Sequence, residues 1–151
     1  MIQIFTPEGT QHVIDRINAL TPDSKPLWGE MNASQMLAHC NVTYELIYTD
    51  KHPSPKNPFM RWVLKSFVKK MVVSEEPYKK NMRTAPHFLM TSDKNIEEER
   101  ERLINYIKRT QELGAEHFDG KESHSFGVLN KTEWNNMFAK HLDHHLTQFG
   151  V

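Results

Sequence analysis

Between Trp134 and Phe149 apolar residues recur at three- and four-residue spacing, and two histidines fall on the same stripe. At roughly 100° per residue, His141 and His145 stand about 40° apart and face the same way as Trp134, Met137, Phe138 and Gln148. This segment is predicted to be a helix covered along one face by other elements, with two imidazoles pointing into the cover. Two unpaired polar rings buried side by side cost on the order of 1–3 kcal/mol each, so they need a shared partner. A divalent metal is the commonest one. The H-x-x-x-H spacing lets both rings reach one ion at roughly 2.0–2.1 Å, although by itself it is a loose signature. His144 lies about 60° to the other side of His141, at the edge of the stripe, which makes His145 the better ligand. Position 142 is Leu where a zincin carries its glutamate, so the metalloprotease reading lacks its general base.

The rest of the chain reads as helices separated by turn-rich connections. Thr6-Pro7 is an N-cap followed by proline at the first helical position, and Val13, Ile14, Ile17 and Leu20 continue a helix to about Leu20. Asn32 caps a second helix that runs toward Tyr48, its strongest apolar direction passing through Met36, Cys40, Tyr44 and Ile47. After a proline-rich loop, residues 59–72 form a shorter amphipathic helix with Phe59, Trp62, Val63, Phe67 and Met71 on one side. Trp62 and Phe67 are expected to cover the core as a lid, the alternative being a membrane-surface or partner-binding helix. Residues 74–91 show no period, and Pro77 and Pro86 discourage helix. Ser92 or Asp93 caps a helix with an Ile96, Leu103, Ile107, Thr110 stripe that stops at Gly114. Residues 115–129 read as a second loop, and Asn130 with Glu133 forms a capping box opening the histidine helix. The prediction is an all-α four-helix bundle with one short extra helix and long crossing loops, as a single domain over residues 1–151.

Lys plus Arg and Asp plus Glu each number 19, a balance that argues against nucleic acid as the main partner. The charge is uneven, however. Residues 51–83 carry Lys51, Lys56, Arg61, Lys65, Lys69, Lys70, Lys79, Lys80 and Arg83 against Glu75 and Glu76, a patch suited to an anionic ligand or surface. The single Cys40 and a polar start without a signal-peptide pattern point to a cytoplasmic protein, and no apolar run is long enough for integral membrane association.

Two histidines leave a metal site incomplete. His39, on the second helix near Thr43 and Leu46, lies at the margin of that helix's buried stripe. On periodicity, His39, His141 and His145 either converge on one ion or sit as separate hydrogen-bonded histidines.

The segments Trp28-Gly29-x-Met31-x-x-x-Gln35-Met36-Leu37-x-His39, His124-x-Phe126-Gly127-x-Leu129-x-x-x-Glu133-Trp134 and Lys140-His141-Leu142-Asp143-His144-His145-Leu146-x-Gln148-Phe149 together resemble the DinB-like superfamily, and within it a subfamily of unknown function. The resemblance covers most of the chain. It implies an up-down-down-up four-helix bundle, a divalent metal such as nickel or zinc held by His39, His141 and His145, and a small-molecule substrate. Some members are thiol-dependent transferases or isomerases. The expected functions are therefore metal-dependent hydrolysis or thiol transfer. The alternative is a non-catalytic binding or stress-associated module, dimeric in form, whose histidines are structural; a homodimer is expected in either case.

Around the site, His124 is a residue that hydrogen-bonds a metal ligand, a proton shuttle or a loop histidine bonding the backbone, with the structural role favoured. His144 and Gln148 are candidates to support the ligands, and Glu133 is a capping residue rather than a base. Cys40 diverges from His39 by roughly 100° and reads as a small buried hydrophobe. His12, His52, His87 and His117 are expected on the surface or in loops.

Overall fold

In a computed structural model describing residues 1–151, the chain is mostly helical with one small two-stranded sheet. Helix α1 (Pro7–Asn18) starts at Thr6, whose side chain accepts from the Gly9 amide, and buries Val13, Ile14 and Ile17. Helix α2 (Ala33–Tyr48) opens on a reciprocal Asn32/Gln35 capping box and is buried without a break from Met36 to Glu45. A helix covered on every side is the centre of a core. Its neighbours are α5 (Ile96–Leu113) and α7 (Lys131–Gln148), while α1 packs on α5 and α7. Helix α7 carries the Asn130/Glu133 capping box that its sequence predicts. Tyr44 stacks between Tyr106 and Phe138 at ring-centroid distances of 5.8 and 5.1 Å, joining α2, α5 and α7 through one aromatic column.

Several local expectations change. The cap of α5 is Asn95, whose side chain accepts from the amides of Glu97 and Glu98, not Ser92 or Asp93. Residues 115–129 are not a plain loop: they hold the short helix α6 (Ala115–Phe118) and an antiparallel hairpin, β1 (Lys121–Ser123) with β2 (Gly127–Leu129). Three-residue strands are too short to display a period of two, so no alternation marked them.

The amphipathic segment spans Pro58–Val73 as α3 (Pro58–Val63), a π turn (Leu64–Val68) and α4 (Lys69–Val73). Trp62 and Phe67, expected to cover the core, are instead 55% and 66% exposed. Leu64, Val68 and Val72 are the half-buried residues that line the interior, with Met60 and Met71 at the rim, 48% and 40% exposed. The segment is held in place by α7: buried Lys140 donates from Nζ to the carbonyls of Met71 and Ser74, both at 2.6 Å, and Asn136 donates to the Val73 carbonyl at 2.9 Å. Lys69 adds an ion pair to Glu133 at 2.9 Å. No helix is long and apolar enough to cross a membrane.

Candidate metal centre

Beneath this roof lies a cavity of about 1130 Å³, and His39, His141 and His145 stand together among its lining residues. Their ligating nitrogens lie within 4.8 Å of one another. His39 Nε2 and His141 Nε2 are 3.1 Å apart. Two nitrogens on a tetrahedral ion at about 2.0–2.1 Å stand roughly 3.3 Å from each other, so this spacing suits a shared cation. His39 and His145 are buried and His141 is half-buried.

The rings are oriented by what their other nitrogens touch. His39 Nδ1 faces the Phe88 carbonyl at 2.9 Å. A carbonyl only accepts, so His39 donates there and its Nε2 carries the lone pair. Gln148 fixes His145 by the same logic in two steps. Its side-chain nitrogen donates to the Trp28 carbonyl at 2.6 Å, which leaves its oxygen facing His145 Nδ1 at 2.8 Å. His145 must then donate from Nδ1, and Nε2 is again the free lone pair. His141 Nδ1 meets the Thr43 hydroxyl at 3.1 Å, a partner able to donate or accept. Thus each ring is held through Nδ1 by a different element, the arrangement usual around ligating histidines.

Burial keeps these rings neutral. It is the largest cause lowering each pKa: His145 is pushed down to about 3, and His141 lies well below the usual histidine range, with the neighbouring imidazoles acting in the same direction. The His39 pKa is also lowered by burial, opposed by its bond to Phe88. Neutral imidazole is the form that binds metal.

Position 29 lets the support form. Gly29 has φ +81°, a left-handed conformation, and a Cβ there would lie 2.6 Å from the Gln148 nitrogen.

His144 does not join the cluster. It packs edge-on against His145 with ring centroids 5.0 Å apart, between Trp28 and Tyr78, and lines the cavity. His124 is also apart, bonding the His52 carbonyl at 2.8 Å and the Ser125 hydroxyl at 2.8 Å. His52 lies in a loop as expected, half-buried against the Glu45 carboxylate at 2.9 Å. Sequence reasoning missed Phe88 and Thr43 as supports. Thr43 could have been found, because it follows His39 by four residues and shares its helix face. Phe88 ends a single 3-10 turn (Pro86–Phe88) in the connection before α5, where no pattern marks it.

A mostly helical protein with a histidine cluster close enough to bind a metal is the class that this fold and site define. The chain belongs to the family described as "Protein of unknown function (DUF1569)", whose profile matches residues 5–150. Comparison with curated proteins and with solved structures gives no match.

Proposed function

We propose that this protein is a metal-dependent transferase of the DinB-like superfamily, built as a single up-down-down-up four-helix bundle. In this reading His39, His141 and His145 hold nickel or zinc, and a low-molecular-weight thiol is transferred to a small-molecule acceptor. The observation that carries the proposal is the two Nε2 lone pairs of His39 and His145, fixed through their Nδ1 partners, with His141 Nε2 3.1 Å from that of His39 in the cavity lining. Three imidazoles suit either metal. When bound, the ion would leave coordination positions open and act as a Lewis acid that lowers the pKa of a thiol or water beside it.

The cavity favours transfer over hydrolysis. At about 1130 Å³ it exceeds the roughly 300–1,000 Å³ of ordinary ligand pockets, leaving room for two reactants. Its only lining carboxylate is Glu30, so no group of the usual hydrolytic kind stands beside the histidines. His144, at the edge of the cluster, is the base that this reading assigns to the thiol proton. Its pKa is lowered by burial, partly offset by Asp143. Leu64, Val68 and Val72 give the cavity an apolar wall, and exposed Lys79 and Arg83 supply positive charge among the lining residues.

A second reading rests on the same nitrogen contact. With His141 Nε2 donating to His39 Nε2 and Thr43 donating to His141 Nδ1, the cluster is self-satisfied as a structural network. Thiol-consumption assays with electrophilic acceptors separate the two. The transferase reading expects saturation in thiol and loss of turnover in His141→Ala; no turnover with any thiol contradicts it.

A further inference from the structure

The segment Pro58–Val73 has a second apolar face, turned away from the cavity. Phe59, Trp62 and Phe67 are 69%, 55% and 66% exposed, yet their rings touch in series, with centroids 5.9 Å apart for Phe59–Trp62 and 5.7 Å for Trp62–Phe67. In an α-helix, residues five apart diverge by about 140°. The π turn Leu64–Val68 closes a wider loop of chain and returns Phe67 to the side of Trp62. Three large aromatic rings therefore form one contiguous patch in solvent, the kind of surface that marks a contact site.

The charge around the patch selects the occupant. Lys56, Lys65 and Lys70 are exposed, the Lys65 side chain extending beside Gly127 of the hairpin, and Arg61 lies only loosely opposite Glu122 at 3.9 Å. A second copy docked about a two-fold axis would bring these same cations against one another. An anionic bilayer surface neutralises them, and it accepts aromatic side chains at headgroup depth.

We propose that the outer face of Pro58–Val73 is a docking surface for anionic lipid bilayers, with Phe59, Trp62 and Phe67 inserted at the headgroup boundary and Lys56, Arg61, Lys65 and Lys70 against the phosphates. The same segment roofs the cavity, so docking sets that cavity beside the bilayer. The proposal stands independently of the metal reading.

The test is sedimentation of the full chain with phosphatidylcholine vesicles, with and without phosphatidylglycerol. At least about tenfold more protein is expected to sediment with the anionic vesicles, reversed by high salt. Trp62 emission should shift to the blue, Trp28 and Trp134 being less exposed. Trp62→Phe should keep sedimentation and lose the shift. A combined Phe59→Ser, Trp62→Ser and Phe67→Ser variant should lose sedimentation while circular dichroism retains the helical signal. Equal binding to both vesicle types, or none to either, overturns the proposal. So does a concentration-dependent dimer that the triple variant abolishes, which assigns the face to a second copy.

Discussion

His145 donates its Nδ1–H to the Gln148 carbonyl oxygen at 2.8 Å, and the orientation of that amide is set 120 residues away by the Trp28 carbonyl. The free Nε2 of His145 on α7 is thereby aimed by the connector between α1 and α2. Removing the link should spare the fold and impair the site. Gln148→Ala is expected to weaken nickel or zinc binding roughly 10–100-fold, read by competition with a chromophoric chelator. Gly29→Ala should do the same with Gln148 left in the sequence, because its Cβ would strike the Gln148 nitrogen. Unchanged affinity in both variants would remove Gln148 from the site.

Thr43→Val replaces the hydroxyl partner of His141 with a methyl group of similar size. His141 Nδ1 is left unsatisfied, at a cost of about 1–3 kcal/mol. The expected result is a lower melting temperature in metal-free protein, while Thr43→Ser restores most of the loss. Equal melting temperatures for Thr43→Val and the parent would show that the hydroxyl does not support the ring.

The buried imidazoles make metal-free stability depend on pH. Burial depresses the folded pKa of His39 and His145, so below the ordinary histidine value near 6.5 the unfolded chain binds more protons than the folded one. The stability contribution is complete above about pH 6.5 and is lost as pH falls through that value toward the folded pKa, about 3 for His145. Urea unfolding should show a decline of on the order of 1.4 kcal/mol per pH unit for each ring that stays neutral. His145→Phe should flatten the slope, and a slope equal to the parent's contradicts the assignment.

Lys140 donates to two carbonyls at the end of the roof segment while its own pKa is lowered by burial. Lys140→Met keeps the stem and removes both bonds, worth about 1.5–3 kcal/mol as hydrogen bonds to a charged donor. Hydrogen exchange should accelerate in residues 58–73 more than in α2 or α5. Uniform acceleration across the chain would place Lys140 in the general core instead.

His144→Phe retains an aromatic ring edge-on to His145 and removes the base assigned to the thiol proton. Metal content should stay at the parent level while turnover falls roughly 10²-fold or more. Parental turnover would exclude His144 from the proton transfer.

Where helical period and local capping chemistry coincide, the elements were legible: α2 begins at the Asn32 cap, α7 on the Asn130/Glu133 capping box, and Gly114 at φ +75° ends α5. His39 was harder. It sits at the margin of the apolar stripe of α2, yet is only 4% exposed, with Phe88, from a short 3-10 turn that carries no periodic signal, packed against it. The return of Phe67 to the side of Trp62 was not legible because a 3.6-residue period does not describe the π turn Leu64–Val68. Side chains that touch across long sequence separation, as Gln148 and Trp28 do, leave no local trace.

The central claim is that His39, His141 and His145 hold one divalent ion. Elemental analysis of purified protein, followed by thermal unfolding with nickel or zinc added, tests it most directly. About one ion per chain is expected, or a rise of roughly 5–10 °C in melting temperature at 100 times the dissociation constant, with both effects lost in His141→Ala. No stoichiometric metal in the purified protein and no thermal shift with either ion would contradict the account and leave the three histidines as a structural network.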